Sequence, residues 1–325
     1  MNEPIWIRES DIRLSMAESI GLLRSALTRQ ALGQAVNMGK THAQWPGGNM
    51  HAIGAVFADR GVLGIKAWAH TPKGATPLEL LWDAETGKIL AIIEAFAMGQ
   101  LRTAGMAGLA TDLLAAERAD RMTICGTGKQ AMAQVAAIKA VRPLKSVRIY
   151  GRDPAKRAAF AERVKSELNL STEGFDDVRE AVKATPIVTL ITRAVDPFLS
   201  EDAPSRGCHI NAMGAITPER KEFEPELLNR CAVVAVDSIE QAKELSSELI
   251  GAWGDDFVRP NLHEISALIA TKSGRPSGAD LTLFKSLGVG IADLALAEEI
   301  YRRARERGVG LSLPQPAPVP LVFSN

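Results

Sequence analysis

The chain has no excess of charge of either sign: 325 residues carry 38 Lys plus Arg and 38 Asp plus Glu, a formal net charge of zero. Nucleic-acid binding generally needs surplus cations to neutralise phosphates, so the balance argues against that class of partner. It leaves room for a local basic pocket that holds a small anion. Cysteine is scarce. Cys125, Cys208 and Cys231 are odd in number and far apart, which indicates neither a disulfide framework nor a zinc knuckle. Buried free thiols in a cytoplasmic protein are the expectation. The five histidines, His42, His51, His70, His209 and His263, include no pair at ligand spacing on one helix, so no metal is expected. Long apolar runs are also missing. No stretch approaches the roughly 18–20 residues of a membrane-crossing helix. The opening MNEPIWIRESDIR lacks the basic start and apolar stretch of a signal peptide, and no membrane association is expected.

What is present is ordinary for a globular protein: 46% hydrophobic and 23% charged residues, at a length that suggests two domains. Apolar residues recur at a helical period over 12–33, with Ile12, Leu14, Met16, Ile20, Leu23 and Leu27 on one side. Over 51–95, short apolar segments alternate with turn signals at DRG, TPKG and AETGK, the pattern of an antiparallel sheet. Residues 99–116 return to a helical period, with small residues that admit close approach of a cofactor or a neighbouring helix. From 121 onward, strands (MTIC, SVRIY, PIVTLITR, HINAMGA, AVVAVD) alternate with helical or polar stretches. That rhythm implies a parallel sheet covered by helices. A last helix is expected over roughly 284–308, and the Pro-rich tail LSLPQPAPVPLVF is expected to be an extended arm. The fold class is therefore α/β: a doubly wound parallel sheet plus a separate α+β domain.

The strongest local motif is Gly126-Thr127-Gly128-Lys129-Gln130-Ala131, between the strand MTIC and the helix AMAQVAAIKAV. Gly126 permits the tight turn, Gly128 lets a pyrophosphate approach the backbone, and Ala131 allows close helix–strand packing. The helix start offers free N–H groups to the phosphates. At the end of the next strand, about 20 residues on, a dinucleotide site reads the adenosine ribose. Tyr150-Gly151-Arg152-Asp153 stands there. Arg152 suits a 2′-phosphate and favours NADP; Asp153 suits a free 2′-hydroxyl and NAD, or serves only as a helix cap. NADP(H) is the favoured expectation and NAD(H) the alternative. Lys40, Lys66 and Arg102 are the cations available to hold a carboxylate.

Taken in order, Lys40-Thr41, Pro46-Gly47-Gly48, LGIK ending at Lys66, WDAETGKILAIIE, LRTAGMAGLATDLLA, GTGKQA, YGRD, NAMGA, VDSIEQA and FKSLGVGIADLALA resemble the ornithine cyclodeaminase/mu-crystallin family over about residues 5–308. The resemblance implies a substrate-binding and dimerisation domain, residues 1–116 with 300–325, and a Rossmann domain, residues 117–299. It implies a homodimer, and hydride transfer between NAD(P) and the α-carbon of an amino or imino acid. It places Lys66 and Arg102 on the substrate carboxylate, with Lys40 at the position of a family arginine. It extends the expected cofactor contacts to Thr103, Met213, Ser286, Leu287 and Gly288.

Two positions depart from the cyclodeaminases of that family. Where they carry an aspartate after the N-A-x-G stretch, this chain has Ile216, here expected to face the substrate. A second acid falls on His51, a candidate acid or base near neutral pH. Ring closure with ammonia loss needs proton carriers beside the nitrogen, and isoleucine is none. The reading is therefore an NAD(P)H-dependent oxidoreductase of C=N/CH–NH bonds. The alternatives are a true cyclodeaminase or an NADPH-binding protein without turnover. Trp45, His51, Trp68 and Ile216 are candidates to line an apolar pocket.

Overall fold

The structure, a computed structural model, describes residues 3–322, and Phe323, the last residue of the expected arm, lies outside it. Two sheets organise the described residues. The first is mixed. Its strands run, side by side, Leu311–Ser312, Ile5–Ile7, Ile89–Glu94, Leu78–Asp83, Val62–Thr71, Gly48–Phe57 and Ala35–Trp45, with the two-residue strand Gly74–Ala75 added beside Val62–Thr71. Every pairing is antiparallel except that of Ile5–Ile7 with Ile89–Glu94. The antiparallel expectation for 51–95 holds. The turn AETGK closes because Asp83 Oδ1 accepts from the backbone N–H of Thr86 at 2.7 Å and of Glu85 at 3.2 Å.

The second sheet is wholly parallel: Ser171–Phe175, Ser146–Tyr150, Arg121–Cys125, Ile187–Leu190, His209–Ala212, Leu281–Lys285, Cys231–Val236 and Leu262–Glu264. Its central strands, such as Ile187–Leu190, are buried along their whole length because helices cover both faces. The chain order reverses around Arg121–Cys125, so a crevice opens at the carboxyl ends of the strands there, the usual place for a ligand in such a sheet.

The helix Met16–Ala31 starts with a capping box in which Ser15 and Glu18 satisfy each other's backbone N–H groups. It buries Ile20, Leu23 and Leu27 against the helix Phe96–Leu114. The small residues of the latter serve neighbouring helices: a Cβ on Gly105 would lie 2.5 Å from Leu23, and one on Gly108 would lie 2.8 Å from Ile20 and 3.2 Å from the Ala137 carbonyl. The carboxyl end of Phe96–Leu114 is fastened to the parallel sheet. Asn211 donates to Thr111 Oγ1 at 2.9 Å. The buried Arg142 guanidinium donates to the carbonyls of Thr111, Asp112 and Ala115 at 2.7–3.0 Å, occupying acceptors that the helix end leaves free.

Two expectations need correction. Residues 284–289 do not begin a helix: Leu281–Lys285 is a fully buried strand, and the last helix is Gly290–Arg307. The strand's residues pack on both faces, so their apolar run has no one-sided period. The helix as a whole packs on the mixed sheet, and the expected division between residues 299 and 300 falls inside it. Ala35–Trp45, for which no element was expected, is an eleven-residue edge strand. The three cysteines are free and buried, and burial pushes the thiols of Cys208 and Cys231 up to about 12. No helix among the described residues is long and apolar enough to cross a membrane.

Candidate active site

The site is built where the mixed sheet meets the start of the Gly290–Arg307 helix. Lys66 lies in the middle of Val62–Thr71 with only 4% of its surface exposed. Its Nζ forms an ion pair with Asp293, and Arg102 Nε donates to the same carboxylate oxygen at 3.1 Å. Asp293 sits in the helix's first turn, where the helix dipole favours an anion. That turn is pinned to the sheet in two ways. Ile291 N–H donates to Asn37 Oδ1 at 3.0 Å. Gly290 lies so close to Gly54 that a Cβ there would be 2.0 Å from the Gly54 carbonyl oxygen.

Across the sheet, Lys66 is flanked in register by Ile53 and Glu79. Glu79 is 1% exposed. Burial, then the neighbouring Asp293 charge, holds its carboxyl well above the usual range, against the smaller opposing pull of Lys66 and Arg102. Lys40 stands at the bulge between Met38 and Thr41 of the edge strand. Burial, then Arg102, lowers its ammonium to about 8, with Asp237 opposing and Lys66 adding to the shift. Lys40, Lys66 and Arg102 are thus within electrostatic reach of one another. Three cations face two acids, Asp293 and Asp237, and Glu79, whose carboxyl is held well above the usual range. Such an imbalance away from water favours a bound anion that completes the pairing.

Beside the cations, His51 stacks on Trp68, ring centroids 4.9 Å apart, and on His42 at 5.7 Å. Lys66 Nζ lies 5.2 Å from the Trp68 ring centre. Burial, then the charge of Lys40, depresses the His51 imidazole to about 4. At neutral pH it is uncharged, and its Nδ1 is buried without a partner. Trp45 is half exposed and packs over Gly48 at the hairpin end. Ile216 is half-buried in the loop after His209–Ala212. The buried Glu222 carboxylate holds that loop, accepting from Gly214 N at 2.7 Å and Ala215 N at 3.1 Å.

The dinucleotide motif is a turn between Arg121–Cys125 and the helix Ala131–Val141. Gly126 has φ +116°, open only to glycine at low cost, and its position against the Ile191 carbonyl leaves no space for a Cβ. Gly128 faces open space, as a cradle for phosphates requires. Thr127 packs against Gly151, Lys129 is exposed, Gln130 Oε1 is buried without a partner, and Ala131 is fully buried. Arg152 is exposed and makes no hydrogen bond or ion pair among the described residues. Asp153 is the cap of the helix Pro154–Leu168, accepting from Ala155 N and Lys156 N at 3.0 and 3.1 Å. These features fit a dinucleotide.

Other expected cofactor contacts are already engaged within the protein. Thr103 Oγ1 donates to the Gly99 carbonyl at 2.8 Å. Met213 is buried and its N–H donates to the Leu190 carbonyl. Ser286 Oγ and the N–H groups of Leu287 and Gly288 donate to Asp237 at 2.7–3.0 Å. The Arg102 guanidinium also lies against Gly288 of that loop. Sequence reasoning assigned no role to Asp293, Glu79 or Asp237. Glu79 had a signal, a single acid inside the apolar run LELLW. Among the described residues, no group of three or more His, Cys, Asp or Glu side chains is placed to hold a metal ion.

A parallel dinucleotide-type sheet set against a mixed sheet with a buried cationic cluster defines a two-sheet α/β nucleotide-binding architecture. The chain belongs to the ornithine cyclodeaminase/mu-crystallin family, whose profile matches residues 7–308. Over 234 residues it is 33% identical to a Delta(1)-pyrroline-2-carboxylate reductase of Bacillus cereus, covering 71% of this chain and 72% of that protein. Its fold is similar to that of Thermococcus litoralis Delta(1)-pyrroline-2-carboxylate reductase, solved with NADH and L-proline, at a TM-score of 0.89 and 26% identity, covering 95% of this chain and 100% of that one. It is likewise similar to an archaeal alanine dehydrogenase dimer with bound NAD, at a TM-score of 0.87 and 26% identity, covering 96% and 99%.

Proposed function

We propose that this protein is an NAD(P)H-dependent oxidoreductase that reduces an α-imino acid, C=N + NAD(P)H + H⁺ → CH–NH + NAD(P)⁺, or runs the reverse reaction. The observation that carries the reading is the cluster of three cations: Lys66 and Arg102 share the Asp293 carboxylate, and Lys40 lies within electrostatic reach of both. Lys66 and Arg102 hold the substrate carboxylate, with Lys40 assisting. The dinucleotide supplies the hydride when bound at the Gly126–Ala131 turn. The protein's own contribution is to orient the imine carbon and to supply charge complementarity. Arg152, with no hydrogen bond or ion pair among the described residues, supports NADPH as the preferred cofactor; Asp153 is occupied as a cap. His51, Trp68 and Ile216 form the less polar side of the pocket.

The names of the Bacillus and Thermococcus relatives support a cyclic imino acid as the first substrate to try. The archaeal relative's dimer supports a homodimer here, and the exposed Val36 and Met50 of the edge hairpin, 60% and 54% exposed, are apolar surface that a second copy covers. The substrate-binding half comprises residues 1–116 with the C-terminal helix. Oxidation of NADPH and NADH against a panel of cyclic and acyclic imino acids, Delta(1)-pyrroline-2-carboxylate among them, tests the reading. Ammonia release from ornithine or lysine with NAD⁺, abolished by His51→Ala, would overturn it in favour of a cyclodeaminase. Stoichiometric NADPH binding without oxidation by any of the panel would indicate binding without turnover.

A further inference from the structure

Reduction of a C=N bond adds a hydride to carbon and a proton to nitrogen, and among the groups read so far only the ammonium ions of Lys40 and Lys66 carry a proton suited to that step. Ile216 has none to give. His51 is depressed to about 4 and carries none at neutral pH. The Asp237 carboxyl is tied by Ser286, Leu287 and Gly288. One group near the cations is left without a use. Glu79 occupies an inward position in a row that reads Ile93, Glu79, Lys66, Ile53 across the sheet. An apolar residue would fill that position without the cost of burying a carboxyl group. Its Oε2 is buried with no partner, and so is Asp293 Oδ2. A Cβ on Gly64 would lie 2.8 Å from Glu79 Oε1 and 3.0 Å from Leu294, so the Glu79 carboxyl lies under the helix turn that carries Asp293.

We propose, building on the imine-reductase reading above, that Glu79 is a positioning residue of this site: with Asp293 it holds one proton between two carboxyl groups behind Lys66, and that proton replaces the one Lys66 Nζ donates to the substrate nitrogen. In an α-imino acid the nitrogen and the carboxylate are attached to one carbon, so a single ammonium can reach both. As the α-carbon receives the hydride, the C=N π pair becomes a lone pair on nitrogen. That lone pair takes a proton from Lys66 Nζ, and the Lys66 amine takes one from the Glu79–Asp293 pair. The pair is left as two carboxylates and recovers its proton from solvent on product release. Two buried carboxyl groups that feel each other's charge do not both ionise cheaply, so such a pair holds a proton in common. The groups that face Glu79 are Lys66 from the adjoining strand, Asp293 from the Gly290–Arg307 helix and Arg102 from the Phe96–Leu114 helix. Burial and Arg102 ease loss of a proton from Lys66, and Asp293 opposes it.

The test joins infrared spectroscopy of the intact protein with the pH dependence of turnover. At neutral pH the wild-type spectrum is expected to show the carbonyl stretch of an un-ionised carboxylic acid, shifted in heavy water and missing in Glu79→Gln. With the imino acid that the wild type reduces best, Glu79→Gln is expected to lower kcat roughly 10²-fold. KM and NADPH affinity should stay within a few-fold, and the alkaline limb of the kcat profile should be lost. Glu79→Met, which replaces the buried acid by an apolar side chain of similar length, should show the same split and stands in if the glutamine variant does not fold. Absence of the band in the wild type overturns the proposal, as does its persistence in Glu79→Gln. So does a variant whose kcat profile matches the wild type. If the wild type reduces no imino acid, the imine-reductase reading falls and takes the proton-delivery step with it; the band still decides whether the pair shares a proton.

Discussion

Lys66 and Asp293, 227 positions apart in the chain, meet as a buried ion pair. The pair ties the strand at the centre of the mixed sheet to the last helix, and Arg102 joins it from a third element. A carboxylate that neutralises one buried cation and also contacts a second makes the cluster cationic without making it unstable. On the proposed reading, it leaves the attraction for a substrate carboxylate in place.

Asp293→Asn removes the counter-charge and leaves Lys66 and Arg102 buried beside each other. Loss of one partner of a buried ion pair costs about 3–5 kcal/mol. A fall in the denaturant midpoint with an unchanged slope is the expected result, and a midpoint equal to that of the wild type would refute it.

Replacing Lys66 or Arg102 by methionine removes a charge-assisted contact to a desolvated carboxylate. The expected cost is about 2–5 kcal/mol in kcat/KM, tens-fold or more, with NADPH affinity nearly unchanged. Steady-state kinetics and a cofactor titration check both halves. Near-full activity of both variants on a carboxylate-bearing imine would remove the clamp from the account.

Lys40 gives the site a pH dependence of definite sign. Its ammonium is lowered to about 8 by burial and by Arg102. The charge is therefore present below pH 8 and lost above it, and substrate KM should rise as the pH passes through that value. Lys40→Arg keeps the charge and should flatten the rise. A KM independent of pH between 7 and 9 in the wild type, two limits roughly one unit either side of that value, would show that Lys40 does not touch the substrate.

Arg152 and Asp153 are expected to separate cleanly. Arg152→Ala should weaken NADPH binding and leave NADH binding alone. Asp153→Ala should lower the melting temperature through loss of the helix cap, without changing cofactor choice. Tighter binding of NADH than NADPH by the unaltered protein would contradict the assignment of Arg152.

Much of this site was legible before any coordinates. Lys66, Arg102 and Lys40 stand in segments that carry the family resemblance, and the Gly126–Ala131 turn announces itself by its strand and helix. Asp293 and Glu79 were not legible as a pair. Each is an acid in an apolar stretch, IADLALA or LELLW, and only the register of the sheet and the docking of the last helix bring them to Lys66. The start of that helix was misplaced because LTLFK is buried on both sides, and an apolar run of that length has no period that distinguishes strand from helix. Asp153 was legible as either ribose ligand or cap, and the structure shows the cap, with Oδ1 3.0 Å from Ala155 N.

The Phe96–Leu114 helix bears Arg102 near one end and is riveted to the nucleotide sheet at the other by Asn211 and Arg142. Nine residues separate Arg102 from Thr111, about 13 Å at 1.5 Å per residue. One rigid rod therefore sets the spacing between the arginine proposed to grip the acid and the sheet proposed to carry the nucleotide. Chemical selectivity follows as a matter of length. An oxo- or imino-carbon directly attached to the carboxyl group falls at one reach, and a carbon one methylene farther along falls at another, whatever the rest of the molecule looks like. Lengthening this rod by a helical turn would be expected to abolish turnover while both ends still bind their ligands.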